Sequence, residues 1–230
     1  MAILAFDTCL GAVSVAVRTR AANGDVFIRE SYEARQTGHA ERLMPMIAEV
    51  MAAAGRSFAD IERFAVTIGP GTFTGVRVGV AAARAFALAA KRPVVGISSL
   101  EVMAARGRHL LGAAAADRAL LVAVDARRGA LYCALHGAAD QSVDSTPALL
   151  TADEAAALAR AHNAIVIGSG AALVAEVAGT AIETALPVIE PHARFLAQLA
   201  ASREPSASIS PLYLRAPDVK PQPQPIARRP

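Results

Sequence analysis

The sequence predicts an α/β protein built of two similar lobes, each with the element order β-β-β-α-β-α. Short runs in which β-branched and apolar residues alternate open each half of the chain, and segments with apolar residues at helical spacing follow them. The length of 230 residues suits one large domain or two compact lobes, and a hydrophobic fraction of 54% suits a packed core. We place the predicted lobes at residues 1–100 and 101–216.

Apolar spacing and glycines define the elements of the first half. Breaks at Gly11 and Gly24 divide its beginning into three predicted strands, over 2–7, 12–18 and 26–33. A helix is predicted where apolar residues recur every three or four positions before Gly55, over 39–54. The remaining predicted elements are a strand over 63–68, a glycine-rich loop over 69–75, a helix over 76–90 and a strand over 93–97.

The second half repeats this pattern, which indicates an internal duplication. Its predicted elements are strands over 119–125, 130–136 and 141–145, a helix over 151–162, a strand over 164–167 and a helix over 171–178. Thr151 and Glu154 have the spacing of a capping box, which marks the first of these helix starts. A final helix is predicted over 189–202 and an extended segment over 212–214. Residues 217–230 alternate proline with glutamine, a composition that predicts a disordered tail.

The charge of the chain indicates no independent binding of nucleic acid. The net charge is +3, and residues 217–230 contribute +2 of it, because three basic residues there oppose Asp218. The rest of the chain is therefore close to neutral. Proteins that bind nucleic acid unaided usually have a basic face with aromatic platforms, and the sequence shows neither.

Cysteine usage and the absence of targeting signals favour a cytoplasmic protein. Cys9 and Cys133 are far apart and have no metal-ligand spacing, which favours reduced thiols. The N-terminus lacks the regions of a signal peptide. The helix predicted over 76–90 is short and is interrupted by Arg77 and Arg84, so we expect no membrane span.

Tandem β-β-β-α-β-α units are the plan of the actin-like, sugar-kinase-like ATPases, whose fold is related to ribonuclease H. In that plan, turns at the ends of the strands approach a nucleotide, and a glycine-rich loop before a helix can face an anion. The residues that we place near a nucleotide on these grounds are Asp7, Thr8, Gly69, Gly71, Thr72, Asp125 and Gly168. The alternative is that such turns serve packing alone, and the loop lacks the lysine of a P-loop.

Two helices carry patterns typical of a surface that another chain covers. Small residues recur every four positions from Gly75, which forms a groove for a second helix. The helix over 39–54 has apolar residues on more than one stripe. The predicted partner interface comprises Leu43, Met44, Ile47, Met51, Gly75, Arg77, Gly79 and Ala83. The alternative is that both helices are buried within the protein itself.

The sequence contains no recognisable catalytic or metal-binding set. The five histidines never pair at i+3 or i+4, so no helix-borne metal site is indicated. No GxSxG segment is present, and the Gly168–Gly170 turn is expected near an adenosine rather than at a nucleophile. We therefore predict no catalytic residue and no metal.

Several segments closely resemble the TsaB family, also called YeaZ. They are FDTC at 6–9 with SVAV at 14–17, HAERLMPMI at 39–47, IGPGTFTGVRVG at 68–79, GISSLE at 96–101 and VDAR at 124–127. The resemblance covers residues 2 to about 215, and the GPGTFTG block is highly specific. Cys9 stands where the family usually has serine, which argues against an essential hydroxyl at this position.

The resemblance implies a subunit of the bacterial machinery that makes threonylcarbamoyladenosine at adenosine 37 of tRNAs reading ANN codons. In that system the catalytic paralogue TsaD carries an HxxxH metal motif, whose two positions correspond here to Ser99 and Met103. The resemblance therefore implies a non-catalytic scaffold that pairs with TsaD through its N-terminal helices, or with a second copy of itself when TsaD is absent. TsaE is a further implied partner, and the resemblance implies contact with tRNA only through the complex. No cofactor is required, and ATP or ADP is expected at most near the subunit junction.

Two alternative functions are a kinase, which would have the same fold, and a peptidase, which is an older label attached to relatives of this family. An ATP-dependent small-molecule kinase would need a DxGxT phosphate turn and a catalytic carboxylate, and the turn at residues 125–129 lacks that pattern. A peptidase would need a nucleophile and a base, which the sequence does not offer. If the scaffold interpretation holds, we expect Gly79→Leu to abolish partner binding and to leave the fold largely intact.

Overall fold

The computed structural model describes residues 1–138, 145–179, 182–185, 190–206 and 208–215, which form two sheets flanked by helices. The first sheet contains β1 (Ile3–Asp7), β2 (Ala12–Arg20), β3 (Val26–Ala34), β4 (Arg63–Thr67) and β5 (Val94–Ile97). The second sheet contains β6 (Leu120–Asp125), β7 (Ala130–His136), β8 (Ala148–Thr151) and β9 (Ile165–Ile167). The helices are α1 (His39–Ala53), α2 (Phe73–Ala90), α3 (Ser99–Leu111), α4 (Ala152–Ala161), α5 (Ala171–Ala178) and α6 (Ala193–Ser202).

The first sheet has the strand order β3-β2-β1-β4-β5 and is covered on both faces. β1 pairs antiparallel with β2 and parallel with β4. Successive residues of a strand point to opposite faces, so Leu4 and Phe6 pack with α1 and α2. Ile3 and Ala5 pack on the other face, with α3 and α6. This two-sided burial explains why β1 is an unbroken apolar run before Asp7.

The second sheet has the order β8-β7-β6-β9, and α3 lies between the two sheets. One face of this sheet packs against α4 and α5. On the other face, Leu100 and Met103 of α3 pack against β6, whereas Val102 of the same helix packs in the core of the first sheet. The predicted lobe boundary between residues 100 and 101 thus falls inside a shared helix. α6, in the range predicted for the second lobe, packs on β1 and β2.

The predicted element order agrees with the structure in outline, with two differences in the first half. α2 begins at Phe73, three residues before the prediction, because the Thr72 hydroxyl caps the helix and accepts the Gly75 N–H at 3.2 Å. α3 is missing from the prediction altogether. It starts after Ser98, whose hydroxyl accepts the Leu100 N–H at 3.2 Å.

The second half differs from the prediction at its third strand and its last helix. β8 at Ala148–Thr151 was not predicted, and residues 141–144 of the strand predicted over 141–145 lie outside the described residues. The last helix begins at Ala193, where the His192 ring accepts the Arg194 N–H at 3.4 Å. The predicted tail over 217–230 lies outside the described residues.

α2 is longer than the sequence pattern indicated, and this removes the argument from length against a membrane span. Its 18 residues have a mean hydropathy of 1.3, enough by length and composition to cross a membrane. A core helix of a soluble protein has the same properties, and Val76, Val80 and Ala83 of α2 lie in the core of the first sheet. The absence of a membrane partner stays a prediction.

Candidate functional site

The turn after β1 begins with a buried polar cluster rather than with open space for a ligand. Asp7 is fully buried, and its Oδ1 accepts hydrogen bonds from the Thr67 hydroxyl and, at 3.2 Å, from the Cys9 N–H. Burial raises the pKa of Asp7 to about 6, although these hydrogen bonds oppose the effect. Burial also raises the pKa of the Cys9 thiol well above its usual value, which makes it a poor nucleophile.

The glycine-rich loop packs directly on this turn. A Cβ at Gly71 would lie 2.3 Å from the Cys9 carbonyl oxygen, and a Cβ at Gly75 would lie 2.0 Å from the Thr8 carbonyl oxygen. The Thr8 hydroxyl donates to the Gly75 carbonyl at 2.6 Å, and the Thr72 N–H donates to the Cys9 carbonyl at 2.7 Å. These glycines therefore permit close backbone contact. Asp7 and Thr8 lie beneath the loop and do not reach the surface.

The structure also corrects the interpretation of the predicted partner interface as an exposed groove and ridge. Six of its eight residues are buried in the core of the chain itself, namely Leu43, Ile47, Met51, Gly75, Gly79 and Ala83. The small residues of α2 face the protein's own sheet, because a Cβ at Gly79 would lie 2.8 Å from Thr8 Oγ1. Only Met44 and Arg77 are exposed. This geometry opposes the expectation that Gly79→Leu leaves the fold largely intact.

A different set of apolar residues forms the outer face of α1 and α2. We call it the α1–α2 surface, and its exposed residues are Met44, Ala48, Ala81, Ala85, Leu88 and Ala89. The side chain of Leu88 is 81% exposed and that of Met44 is 50% exposed. A groove of about 470 Å³ runs between Met44 and Ala89, and Phe58, Phe64 and Phe86 form part of its wall. The Phe86 ring lies 5.2 Å from the Phe58 ring and 5.6 Å from the Phe64 ring.

A second cavity, of about 370 Å³, lies between the lobes; we call it the interlobe pocket. Its lining comes from the loop before α2, the first residue of α2, the β6–β7 turn, β7 and the last described segment. It consists of Pro70, Gly71, Phe73, Ala126, Arg127, Arg128, Tyr132, Leu212, Tyr213, Leu214 and Arg215. Sequence reasoning identified Gly71 of these residues as close to a ligand. It also placed the turn over 125–129, which contains Arg127 and Arg128, near a phosphate. It missed Arg215 and the aromatic rings, because they are scattered over about 140 positions and share no local motif.

The segment over 208–215 crosses from the first sheet to the β6–β7 turn and closes one side of the interlobe pocket. The Leu212 N–H donates to the Ile68 carbonyl at 2.7 Å, and Arg84 Nε donates to the Ile209 carbonyl at 2.8 Å. At the other end, Arg215 Nη1 donates to the Ala126 carbonyl at 2.9 Å. The segment thus joins the two lobes through charged side chains and backbone groups.

The other predicted nucleotide-proximal residues are spread over the structure. Gly69 has a φ of 104°, and a Cβ there would lie 2.8 Å from the Leu212 carbonyl oxygen. Gly168 has a φ of 107° and approaches the Ala123 carbonyl oxygen in the same way. Asp125 is exposed, and its Oδ1 accepts the Arg127 N–H at 2.7 Å, which shapes the β6–β7 turn. Thr72 serves as the α2 cap.

Ser99 and Met103, which the resemblance aligned with the paralogue's histidines, are both packed in the core. Ser99 is fully buried, and its hydroxyl donates to the Pro70 carbonyl at 2.5 Å. Met103 is fully buried between α3 and the second sheet. Neither side chain offers a hard metal a ligand that is free to bind it. Within the described ranges, no three His, Cys, Asp or Glu side chains come together as a metal site.

Comparison with known proteins places this chain among relatives involved in tRNA modification. A family model described as TsaD, tRNA N6-adenosine threonylcarbamoyltransferase, matches residues 32–167. The chain is 37% identical over 134 residues to the tRNA threonylcarbamoyladenosine biosynthesis protein TsaB of Escherichia coli K12, an alignment that covers 58% of this chain and 54% of that protein. The match thus spans about half the length of this relative.

Two further relatives match nearly the whole chain. An uncharacterized protein of Mycobacterium tuberculosis H37Rv is 34% identical over 234 residues, which cover 95% of this chain and 94% of the relative. A crystal structure from Pseudomonas aeruginosa, described as an uncharacterized protein with similarity to peptidase YEAZ, has a TM-score of 0.77 and 28% identity, and covers 93% of this chain and 99% of its own. These matches confirm the predicted actin-like, two-lobed fold and show that the chain belongs to the TsaB (YeaZ) family.

Proposed function

We propose that this protein is a non-catalytic subunit in the biosynthesis of threonylcarbamoyladenosine in tRNA, and that it binds a TsaD-type paralogue through the α1–α2 surface. The names of the E. coli and Bacillus subtilis relatives support the process, because both are called tRNA threonylcarbamoyladenosine biosynthesis protein TsaB. The match to the TsaD family model supports a paralogue of similar fold as the partner, since related folds can pair through equivalent helices.

The observation that carries the proposal is the exposed apolar face of α1 and α2. Leu88 is 81% exposed next to Ala85 and Ala89, with the exposed Arg84 at the edge of this patch. Exposed apolar patches rimmed by polar residues mark sites where another protein binds. Ala81, Ala85 and Leu88 follow one another at helical spacing, and the short alanine side chains allow a partner helix to approach closely. A helical partner would bury this face together with the groove beside Met44.

The chemistry of the paralogue has no counterpart among the described side chains. Ser99 and Met103 are engaged in the core at the positions where TsaD has its histidines, which supports a role in activation rather than in transfer. We propose that a TsaE homologue joins this complex and that two copies of this chain pair through the α1–α2 surface when the paralogue is absent. The proposed role requires no cofactor, and any ATP or ADP would lie near the subunit junction.

The kinase alternative fits the structure less well. A phosphate-binding turn needs free backbone N–H groups and space, whereas the turn after Asp7 is covered by the glycine-rich loop. The carboxylate of Asp7 is fully buried and bonded to Thr67, so it does not face a substrate. We therefore retain the subunit role as the proposed function.

The test combines nucleoside analysis with a matched pair of surface variants. The protein is depleted in its host, and bulk tRNA is hydrolysed and examined for threonylcarbamoyladenosine by mass spectrometry. The wild-type protein is expected to restore the nucleoside. The control variant Leu110→Glu is expected to restore it too, because Leu110 is 62% exposed and lies on α3. Leu88→Glu is expected not to restore it and to lose the paralogue in a pull-down, because a charge would be buried at the interface.

Two results would overturn the proposal. Unchanged threonylcarbamoyladenosine after depletion would remove the role in this modification. Recovery of the paralogue by Leu88→Glu at the wild-type level would show that the interface lies elsewhere. Circular dichroism of both variants confirms beforehand that each is folded.

A further inference from the structure

The interlobe pocket combines arginines and aromatic rings that the sequence keeps far apart. Arg127 and Arg128 come from the β6–β7 turn, Phe73 from the start of α2 and Tyr213 from the segment over 208–215. No single segment of the sequence carries a basic face with aromatic platforms, and the fold assembles one from these separate segments. Such a combination is typical of sites that bind the bases and phosphates of nucleic acid.

The aromatic side of the pocket is held in place by Arg77, which lies outside the lining. The Arg77 guanidinium lies 3.5 Å from the centre of the Phe73 ring, and its Nε donates to the Tyr213 hydroxyl at 2.8 Å. The two rings lie 5.5 Å apart at an angle of 33°. Phe73 is still 39% exposed and Tyr213 is 42% exposed, so ring surface remains for stacking a planar ligand. Two rings fixed in this way lose little conformational freedom when a ligand binds.

The basic side of the pocket is also fixed by its backbone. Arg127 has a φ of 63° and Arg128 a φ of 56°, and the Asp125 carboxylate holds the turn by accepting the Arg127 N–H. Arg215 supports the same turn from the other side through the Ala126 carbonyl. Arg127 is exposed at the pocket. The turn thus presents positive charge on a backbone whose conformation is already set.

The charge and size of the pocket favour one phosphate over a magnesium-bound triphosphate. Its lining, as far as the chain is described, includes three arginines and no carboxylate, whereas Mg²⁺ is usually held through one or two carboxylates. A phosphodiester carries a single negative charge and needs no cation beside an arginine. The volume of about 370 Å³ lies at the small end of the range for ligand pockets, which suits a single nucleotide.

We propose that the interlobe pocket binds one nucleotide of single-stranded RNA, with the base stacked on Phe73 and Tyr213 and the phosphate paired with Arg127. The choice of RNA over a free nucleotide rests on the proposed function in tRNA modification. The pocket lies on neither α1 nor the outer face of α2, so it is distinct from the α1–α2 surface. The chain then contributes its own contact to RNA, in addition to any contact made by its partners.

Fluorescence anisotropy of a labelled, single-stranded RNA of about ten nucleotides, titrated with the full chain, tests this proposal. Arg127→Asn removes the charge and keeps a residue that tolerates positive φ. Lys91→Asn is the matched control, because Lys91 is also basic, exposed and at positive φ (51°) but lies at the far end of α2. We expect Arg127→Asn to weaken binding about tenfold and to lower the salt slope by about 1, and Lys91→Asn to leave both unchanged.

The aromatic contact is tested with a second pair of variants. Tyr213→Leu removes the ring and is expected to weaken RNA binding about tenfold, whereas Tyr213→Phe keeps the ring and is expected to bind within about twofold of wild type. AMP serves as the competitor that distinguishes a free nucleotide from RNA. Displacement of the RNA only at a large excess of AMP supports RNA as the ligand, and displacement at equal concentration overturns that choice.

Three results would overturn the site itself. They are no anisotropy change up to about 100 μM protein, equal losses in Arg127→Asn and Lys91→Asn, or a Tyr213→Leu variant that binds like wild type. None of these measurements involves the paralogue or the Leu88→Glu variant. The pocket and the proposed subunit role can therefore fail independently.

Discussion

Gly79 lies directly against Thr8, so α2 and the turn after β1 meet without a side chain between them. A Cβ at Gly79 would be 2.8 Å from Thr8 Oγ1 and 3.2 Å from Val66 Cγ2. Both neighbours are fully buried, and the Thr8 hydroxyl is itself bonded to the Gly75 carbonyl. The first sheet and α2 are therefore packed at a distance that only glycine allows.

Gly79→Leu is expected to destabilise the protein by about 1–3 kcal/mol, because three added side-chain carbons beyond Cβ have no space beside Thr8. Ala81→Leu is the matched control, since Ala81 lies on the same helix and is exposed. Urea denaturation followed by circular dichroism measures both. Equal midpoints for the two variants would contradict the packing described for α2.

Asp7 is expected to make the stability of the protein fall as pH rises. Its pKa is about 6 in the folded state against 3.8 for the ordinary group, so the folded state binds more protons between these values. Stability due to this group is lost as the pH rises from about 4 to about 6 and is constant above that range. The loss amounts to about 3 kcal/mol.

Asp7→Asn removes this titration and leaves an amide oxygen that can accept a hydrogen bond from the Thr67 hydroxyl. The difference in unfolding free energy between Asp7→Asn and wild type should therefore shift in favour of the variant between pH 4 and pH 6. Glu190, whose pKa burial also raises, is present in both proteins and affects both curves. Parallel curves for the two proteins over this range would show that Asp7 is ionised at the same pH in the folded and unfolded chain.

Local sequence patterns predicted an element well where specific residues mark its start. The capping box at Thr151 and Glu154 is present with both reciprocal hydrogen bonds, and the helix starts where the sequence placed it. β8 at Ala148–Thr151 was not predicted, because its apolar periodicity is weak. α3 was not predicted, because its buried residues are divided between two sheets and do not form the single apolar stripe of an amphipathic helix.

The candidate sites were harder to predict, because periodicity identifies an apolar stripe but not which way it faces. Leu43 and Gly79 were assigned to a partner although they face the chain's own sheet. The exposed Leu88 carries no distinguishing pattern in an alanine-rich helix. The interlobe pocket depends on contacts such as that between Arg77 and Tyr213, which are 136 positions apart, and no local motif encodes such a contact.

Thr151→Ala is expected to cost about 1 kcal/mol of stability, because the Glu154 N–H loses its acceptor at 3.2 Å and the start of α4 frays. Thr151→Ser keeps the hydroxyl and should retain most of the stability. Thermal denaturation of the two variants measures the difference. A serine variant as unstable as the alanine variant would assign the effect to the lost methyl group instead of the cap.

Arg84 is expected to hold the segment over 208–215 against the first sheet. Both Nε and Nη2 of Arg84 donate to the Ile209 carbonyl, and hydrogen bonds from a charged group stabilise by about 1.5–3 kcal/mol. Arg84→Met keeps the length of the side chain and removes both donors. The Leu212 amide, which donates to Ile68, should then exchange with solvent about tenfold faster or more.

Hydrogen exchange monitored by mass spectrometry checks this expectation, with the β6 amides as an internal reference because they lie in the second sheet, away from Arg84. If Arg84→Met accelerates exchange equally in β6 and at Leu212, the variant has lost global stability, and Arg84 is not a specific anchor of the segment. If exchange rises at Leu212 alone, the interlobe pocket loses one wall, and RNA binding should weaken in the same variant.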